Sequence, residues 1–324
     1  NYNYSEATSL YADLQRRSVD YTFEGYDEDG NAAEQQVNLT FLNPKFGFFH
    51  LLNKNQAIYA SFAVANKEPN RNDYVENKAG DYPLHETLYD TEVGYKKNGE
   101  RLILAMNIYH MKYKNQLVLT GEINDVGAYR RANIDKSFRQ GIELEGMYKI
   151  NNNITWDANM TLSQNKIENY TEYIDNWDTW GQESIEHQNT NLAFSPEIIW
   201  ASNINYKISN NTNIDFISKY VGEQFIDNTS SEDRMLEDYL VSNLRFSYIF
   251  NSKIFKTAKL TLQVNNLLNN EYVSNAWVYR FISNGWDPRD SDHYVNLDSE
   301  TGYNMAGYFP EATRNYLLAL TLGF

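Results

Sequence analysis

The C-terminal segment NYLLALTLGF (315–324) alternates between large apolar side chains and small or polar ones. Successive side chains of a β-strand point to opposite faces of the sheet, so this pattern predicts a strand with one apolar face. The apolar series consists of Tyr316, Leu318, Leu320, Leu322 and Phe324.

The same period of two recurs along the chain. No stretch of comparable length follows the i, i+3, i+4, i+7 spacing of an amphipathic helix, so the chain is predicted to be all-β. The clearest alternating segments are AIYASFAVA (57–65), SFRQGIELEG (137–146), NITWDANMTLS (153–163), NLRFSYIF (243–250) and KLTLQVN (259–265).

The connections between these segments alternate in length. Short ones rich in Asn and Gly, which tolerate the positive φ of tight hairpins, lie near 53–56, 96–99, 151–153 and 209–213, and a slightly longer one lies at 251–258. Long polar ones rich in aromatic residues lie near 28–35, 67–84, 119–136, 172–193, 226–236 and 283–302. Tight turns at one end and long loops at the other are typical of a transmembrane antiparallel β-barrel, whose apolar faces contact lipid.

The pattern predicts about 12 strands. If the short turns lie in the periplasm, the first strand runs outward and the last runs inward, which places the C-terminus on the periplasmic side. The predicted bounds are 8–27, 36–52, 56–66, 86–96, 101–118, 137–150, 154–171, 195–208, 213–225, 237–250, 257–282 and 303–324. On the opposite face from lipid, Arg139, Glu143, Glu145, Asp157 and Arg245 are predicted to line a polar interior.

The composition excludes several classes of protein. The 324 residues include no cysteine, which excludes disulfides and thiolate metal sites, and the net charge of −15 argues against a nucleic-acid partner. The 26 Tyr, 16 Phe and 6 Trp favour strands and membrane interfaces. No apolar run approaches the roughly 18 residues of a transmembrane helix, and the first residues, NYNYSEATSL, lack the features of a signal peptide.

Four segments resemble the C-terminal half of TonB-dependent outer-membrane receptors. They are YASFAVANKEPNRNDY (59–74), LYDTEVGYKKNGERLILAMNIYHMKYKNQLVLTGEINDVG (88–127), NIDKSFRQGIELEG (133–146) and LQVNNLLNNEYVSNAW (262–277). The order of these segments is that of the family, and the Asn-, Lys- and Tyr-rich composition is similar to that of Bacteroidetes members. The terminal Phe324 also resembles the signal recognised by barrel-assembly machinery.

The resemblance implies that residues 1–324 are the C-terminal part of a barrel of about 22 strands that encloses an N-terminal plug. It implies as partners the plug and remaining strands, the TonB energy-coupling protein through an N-terminal part, outer-membrane lipid and lipopolysaccharide, and a surface lipoprotein for some cargoes. The implied cargo is a ferric siderophore, cobalamin or haem, or a peptide or glycan, so iron or cobalt would arrive with the cargo. A self-contained barrel of about 12 strands acting as a porin or enzyme, and a soluble β-sandwich adhesin, stay open as alternatives.

Three aromatic loops contain the candidate ligand-binding residues, because aromatic rings beside Arg hold planar ligands by stacking and cation–π contact. The alternative interpretation is that the rings pack against one another or form an interfacial belt. The candidates are Tyr129, Arg130, Arg131, Trp177, Trp180, Trp277, Tyr279, Arg280, Trp286, Arg289 and Tyr294.

Catalysis and resident cofactors are not predicted. The five His residues show no HExxH spacing, and no GxSxG, P-loop or GxGxxG motif is present. His50 and His110 are the two His residues considered as a base for a barrel enzyme. In DEDGNAAE (27–34), Asp27, Asp29 and Asn31 resemble the early positions of a calcium loop, without the distant bidentate Glu, so loop-bound Ca²⁺ is a secondary possibility.

Overall fold

The computed structural model describes residues 1–26, 35–75, 82–123, 129–250, 254–298 and 302–324. In this part of the chain the only α-helix is α1 (Arg71–Val75), with two short 3-10 helices at Glu232–Arg234 and Pro288–Asp290. No helix among the described residues is long and apolar enough to cross a membrane.

Nearly all other elements are strands. They are β1 (Tyr2–Asn3), β2 (Thr8–Phe23), β3 (Gln35–Asn53), β4 (Gln56–Lys67), β5 (Glu86–Asn98), β6 (Leu102–Ile123), β7 (Tyr129–Lys149), β8 (Ile154–Asn176), β9 (Gly181–Asn191), β10 (Ile198–Ser209), β11 (Thr212–Val221), β12 (Gln224–Phe225), β13 (Met235–Leu236), β14 (Tyr239–Phe250), β15 (Thr257–Asn265), β16 (Val273–Ile282), β17 (Val295–Leu297), β18 (Gly302–Pro310) and β19 (Asn315–Gly323).

Twelve of these strands form one antiparallel wall, in the order β2–β3–β4–β5–β6–β7–β8–β10–β11–β14–β15–β19. Neighbours in the wall follow one another along the chain, with β9 inserted between β8 and β10, β12 and β13 between β11 and β14, and β16, β17 and β18 between β15 and β19. Among the described residues no pairing joins β2 to β19, so the wall is open, and the outer edge of β2 is paired only at Ser9 and Leu10, with β1. The part of the chain that the structure describes therefore forms an open wall and not a closed barrel.

The strands β9, β16, β17 and β18 extend the wall on the side of the long loops, whereas β1 pairs with β2 at the short-turn end and β12 and β13 form a separate two-stranded sheet. β8 continues beyond the apolar band, toward the long loops, and pairs there with β9, and β16 pairs with β18. The last two residues of β16, Phe281 and Ile282, also pair in parallel with Asp175 and Asn176 of β8. This junction attaches a second hairpin to the top of the wall.

The register places apolar residues on one face of the wall. Residues directly opposite each other on paired strands share a face, and one such row runs through Met106, Leu144, Met160, Trp200, Tyr220 and Leu240. The opposite face carries the row Asn205, Asp215, Arg245 and Gln263 and the pair Glu145 and Asn159. The prediction of one apolar and one polar face is confirmed, with the five predicted interior residues on the polar face.

The strand prediction is confirmed for the wall and wrong for two loops. The segments predicted as loops at 119–136 and 172–193 are mostly strand, because β6 and β7 continue to Ile123 and from Tyr129, and β8 and β9 form a second hairpin. The predicted strands 257–282 and 303–324 are each interrupted, between β15 and β16 and between β18 and β19. Outside the membrane a strand needs no apolar face, so its residues do not alternate between apolar and polar although its backbone still pairs with the neighbouring strand. The sequence pattern therefore gives no sign of such a strand.

Candidate ligand-binding site

A cavity of about 450 Å³ lies on the polar face, where β6, β7 and β8 leave the apolar band and meet β16. Its walls include Val118, Tyr170, Phe194 and Trp277. Four cationic side chains and two carboxylates also line it: Lys67, Arg131, Arg139, Arg280, Glu172 and Asp227. Its lining therefore combines aromatic and apolar walls with an excess of positive charge.

The cavity wall depends on a change of phase in β8. The buried positions are odd-numbered at Asn165 and Ile167 and become even-numbered at Tyr170, Glu172 and Ile174, nearer the long loops. The shift falls at Glu168, where the pairing with β9 skips a residue and the facing Asn189 has a φ of 54°. Such an irregularity re-aims the side chains that follow it. It turns Tyr170 and Glu172 toward the cavity.

Tyr170 lines the cavity and is held in place by packing and by a hydrogen bond. It packs in a cluster with Val118, Ile134, Ile167 and Leu192, and its hydroxyl donates to the Leu119 carbonyl oxygen at 3.1 Å. Burial raises the pKa of Tyr170, so the side chain is neutral and acts as a hydrogen-bond donor.

The cationic side chains differ in how far they are neutralised. Arg131 lies 3.5 Å from the buried carboxylate of Asp73, and Lys67 pairs with Glu86 at 3.1 Å. Arg139 donates to two neutral oxygens, those of Asn165 and Ser195, at 3.4 and 3.0 Å. No carboxylate of the described residues forms an ion pair with Arg139, so its positive charge is available to a ligand in the cavity.

A buried ion network forms the outer boundary of the cavity. Arg234, only 4% exposed, donates to Asp227 at 2.6 Å and to both oxygens of Asp298 at 2.8 and 2.9 Å. Arg280 bridges Asp298 and Glu172, and Glu172 also contacts His187 at 2.9 Å. Because both Arg side chains engage several carboxylates, the network fixes β8, β16 and the segment 226–236 relative to one another.

The predicted aromatic residues separate into buried and exposed groups. Trp177 stacks on Phe281 and contacts Trp286, with centroid distances of 3.9 and 6.2 Å. Its indole Nε1 donates to Tyr279 Oη, which donates to Asp175 Oδ2 at 2.8 Å. Burial raises the pKa of Tyr279 to about 12. Trp177 and Tyr279 therefore hold the upper hairpins together.

Four predicted residues lie at the surface of these hairpins. Trp180 is 93% exposed, Tyr294 74% and Trp286 54%. Arg289 pairs with Asp287 at 2.6 Å and lies 6.0 Å above the ring of Tyr303.

Asp178 joins the two hairpin tips, accepting hydrogen bonds from the backbone N–H groups of Asn284 and Gly285 at 2.6 and 3.2 Å. These bonds lower the pKa of Asp178, with the Asn284 N–H contributing most. The hydrogen bonds of Asp178 therefore hold together the two turns that carry the exposed rings of Trp180 and Trp286.

The cavity contains three of the predicted residues, Arg131, Trp277 and Arg280. Arg130 lies on β7 next to Arg131, and Tyr129 begins that strand with its side chain outside the described part. Sequence reasoning assigned no ligand-binding role to Lys67, Arg139, Tyr170 or Phe194. Only Arg139 carried a signal, its place on the polar face of an alternating strand.

Within the described part of the chain, no group of three His, Asp or Glu side chains is placed to hold a metal ion. The calcium-like segment with Asp27, Asp29 and Asn31 lies outside the described residues. His50 pairs with Thr8 and His110 with Gln140, at 2.9 and 3.2 Å. Both His residues share a face with the apolar rows, away from the cavity.

The open antiparallel wall, with one lipid-compatible face and one polar face, defines a segment of a membrane-spanning β-barrel. The family model described as TonB dependent receptor-like, beta-barrel, matches residues 1–267, and the chain belongs to this family. Its members are outer-membrane proteins of Gram-negative bacteria, which locates the chain in the outer membrane. No curated protein sequence matches this chain.

Solved structures share the fold at low identity. The siderophore receptor PiuA from Acinetobacter baumannii has a TM-score of 0.72 at 15% identity, over 98% of this chain and 41% of that one. The closed form of the ferric-catecholate import receptor Fiu from E. coli K12 has a TM-score of 0.68 at 16% identity, over 99% and 43%. The copper transporter OprC has a TM-score of 0.69 at 15% identity, over 99% and 45%. The chain thus spans less than half the length of these receptors.

Proposed function

We propose that this chain is the C-terminal barrel portion of an energy-coupled importer and that the importer's cargo is a ferric siderophore. In this proposal a plug and further strands complete the barrel, and the TonB protein pulls the plug through an N-terminal Ton box. The polar face of the wall suits this role, because a plug can slide against polar groups without separating apolar surfaces.

The observation that carries the proposal is the cavity beside β16. Siderophores that bind iron through catecholate or carboxylate oxygens are anionic and often contain aromatic rings. Arg139 and Arg131 supply positive charge, and Trp277 and Phe194 supply ring faces. The names of Fiu, PiuA and the ferric yersiniabactin receptor FyuA from Yersinia pestis are consistent with such a cargo.

The exposed rings of Trp180, Trp286 and Tyr294 provide a second contact region for the same cargo in this proposal. Their position at the hairpin tips suits first capture from the medium, and the cavity suits the next binding step. The predicted residues Arg289 and Arg130 lie near these two regions and are proposed to contribute charge.

The test is identification of small molecules bound to the native protein by mass spectrometry, combined with uptake of radioactive iron. Arg139→Gln and Trp277→Ala are each expected to weaken cargo binding by about tenfold, from the loss of roughly 1–2 kcal/mol of charge or ring contact. Lys207→Gln, at the short-turn end of β10, is the control and should leave uptake unchanged. A bound corrinoid, haem, peptide or glycan, or unchanged iron uptake in both variants, would replace the siderophore by another cargo.

A further inference from the structure

The chain contains two Asn–Gly steps, Asn98–Gly99 and Asn284–Gly285. The backbone nitrogen of the glycine in such a step can attack the side-chain carbonyl carbon of the asparagine, because glycine has no Cβ to obstruct the approach. Both asparagines are exposed to solvent, so water can reach the product of the attack. Deamidation is therefore chemically favoured at these two places.

Deamidation converts the asparagine to an acidic residue and consumes only water. The glycine nitrogen gives up its proton and bonds to Cγ of the asparagine, the Cγ–Nδ2 bond breaks, and Nδ2 leaves as ammonia with that proton. Water then opens the resulting five-membered imide at either carbonyl and yields aspartate or isoaspartate. Because the attacking nitrogen must lose its proton, a hydrogen bond that holds this proton slows the reaction.

Asp178 binds three donors of the Asn284–Gly285 step. Its Oδ1 accepts a hydrogen bond from the Gly285 backbone N–H at 3.2 Å. Its Oδ2 accepts one from the Asn284 backbone N–H at 2.6 Å and one from Asn284 Nδ2 at 3.1 Å. The carboxylate therefore holds the proton that must leave and restrains the side chain that would be attacked. Its negative charge also opposes the formation of an anionic nitrogen beside it.

This restraint links two distant parts of the chain. Asp178 lies in the turn between β8 and β9, and Asn284 follows β16, which ends at Ile282. The hydrogen bond from the Asn284 backbone N–H is the largest cause of a lowered pKa of Asp178, so the side chain is ionised at neutral pH. The restraint on Asn284 is therefore present while the two turns are joined and is lost when they separate.

The Asn98–Gly99 step is restrained in a different way. The Gly99 N–H donates to the Leu102 carbonyl oxygen at 2.9 Å, and the Asn98 N–H donates to the Asn55 carbonyl oxygen at 2.8 Å. Both acceptors are neutral backbone groups at the short-turn end of the wall. Asn98 is therefore an internal reference whose rate of deamidation does not depend on Asp178.

We propose that Asn284 is a site of spontaneous deamidation and that Asp178 suppresses the reaction while the two turns remain joined. Separation of the turns releases the Gly285 N–H and starts the reaction. The product carries a second carboxylate in place of the Nδ2 donor, and this carboxylate repels Asp178. Because the reaction is irreversible, it permanently weakens the contact between the turns that carry the exposed rings of Trp180 and Trp286. The inference is independent of the cargo.

The test measures deamidation in the purified native protein during incubation at mildly alkaline pH. Peptide mapping by mass spectrometry follows the mass increase at both Asn–Gly steps over time. Asp178→Ala should accelerate deamidation of Asn284 by at least about tenfold, the effect expected from losing one hydrogen bond to a charged acceptor. The rate at Asn98 should stay the same. Equal rates at Asn284 in the two proteins would overturn the proposal.

Two further variants separate the Asp178 contact from other effects. Asp233→Ala removes an exposed carboxylate elsewhere on the side of the long loops and should leave deamidation of Asn284 unchanged. Gly285→Ala in the Asp178→Ala background should return the rate at Asn284 to the slow value, since a Cβ obstructs the attack. Acceleration by Asp233→Ala, or a reaction that stays fast in the double variant, would contradict the proposal.

Asn284→Asp tests the effect of the product on the two turns. Hydrogen exchange should be faster in both turns than in Asn284→Ser, which also lacks the amide but adds no charge. Equal exchange in these two variants would show that the new carboxylate does not weaken the contact, contrary to the proposal.

Heat-modifiable migration on gels reports whether each variant is folded. If Asp178→Ala does not fold, a synthetic peptide of residues 280–290 serves as the unrestrained reference. Asn284 should then react at least about tenfold faster in the peptide than in the unmodified protein, and equal rates would overturn the proposal.

Discussion

Trp177 and Phe281 stack face to face, with ring centroids 3.9 Å apart and ring planes 11° apart. They belong to different hairpins, β8–β9 and β16–β18, and Phe281 is fully buried. The stack joins the two hairpins at the point where β16 pairs in parallel with β8. We therefore expect the relative position of these two hairpins to depend on this stack.

Phe281→Ala is expected to destabilise these hairpins by about 3–5 kcal/mol, because it leaves a ring-sized cavity between Trp177 and Tyr303. Hydrogen exchange should accelerate in β9 and β16 while the wall strands stay protected. Tyr294→Ala, at an exposed ring, is the control. Unchanged exchange in β9 would show that the stack does not hold the hairpins.

Arg234→Ala is expected to loosen the segment 226–236 by about 3–5 kcal/mol, because Asp227 would lose its Arg partner and the buried Asp298 would keep only Arg280. Proteolysis within that segment should become faster. Arg289→Ala removes the exposed pair with Asp287 and should change stability by less than about 1 kcal/mol. Equal effects of the two changes would contradict a special role for the buried network.

Gly307→Ala is expected to disturb the cavity without unfolding the wall. A Cβ at Gly307 would lie 2.1 Å from Trp277 Nε1, so the indole must move away from its place in the cavity wall. Affinity for the cargo identified by mass spectrometry should fall about tenfold, as for Trp277→Ala. Gly25→Ala, with nothing within 4 Å of its Cβ, is the matched control. Full affinity in Gly307→Ala would remove Trp277 from the site.

Tyr279 is expected to make the upper hairpins sensitive to alkali. Burial raises its pKa to about 12, above the ordinary tyrosine value of about 10. The native state therefore keeps the proton that the unfolded state loses first, and the stabilisation is complete below pH 10 and is lost between about pH 10 and 12. The absorbance change on tyrosinate formation, as a difference between the protein and Tyr279→Phe, measures this pKa. A difference titration centred at 10 would contradict the burial.

The wall was predictable in detail from sequence. Leu144, Met160 and Trp200 alternate with polar neighbours, and this local period also fixes the register, since a slip by one residue would turn them to the polar face. The candidate site was less predictable. Arg280 and Trp177 were predicted as ligand-binding residues, but their partners Glu172, Asp298 and Phe281 come from distant segments that carry no common pattern. The Bacteroidetes type and the ligand contacts of the eleven predicted residues stay predictions.

The sequence by itself determined that this chain forms a membrane wall. One face of each membrane-spanning strand contacts lipid and the other contacts water or polar groups, so apolar and polar residues alternate along the strand. Only the tertiary structure decided which side chains above the membrane are buried, paired or free. There the environment of Trp177, Arg234 or Arg139 consists of other segments of the chain, and long-range contacts, which leave no local period, set it.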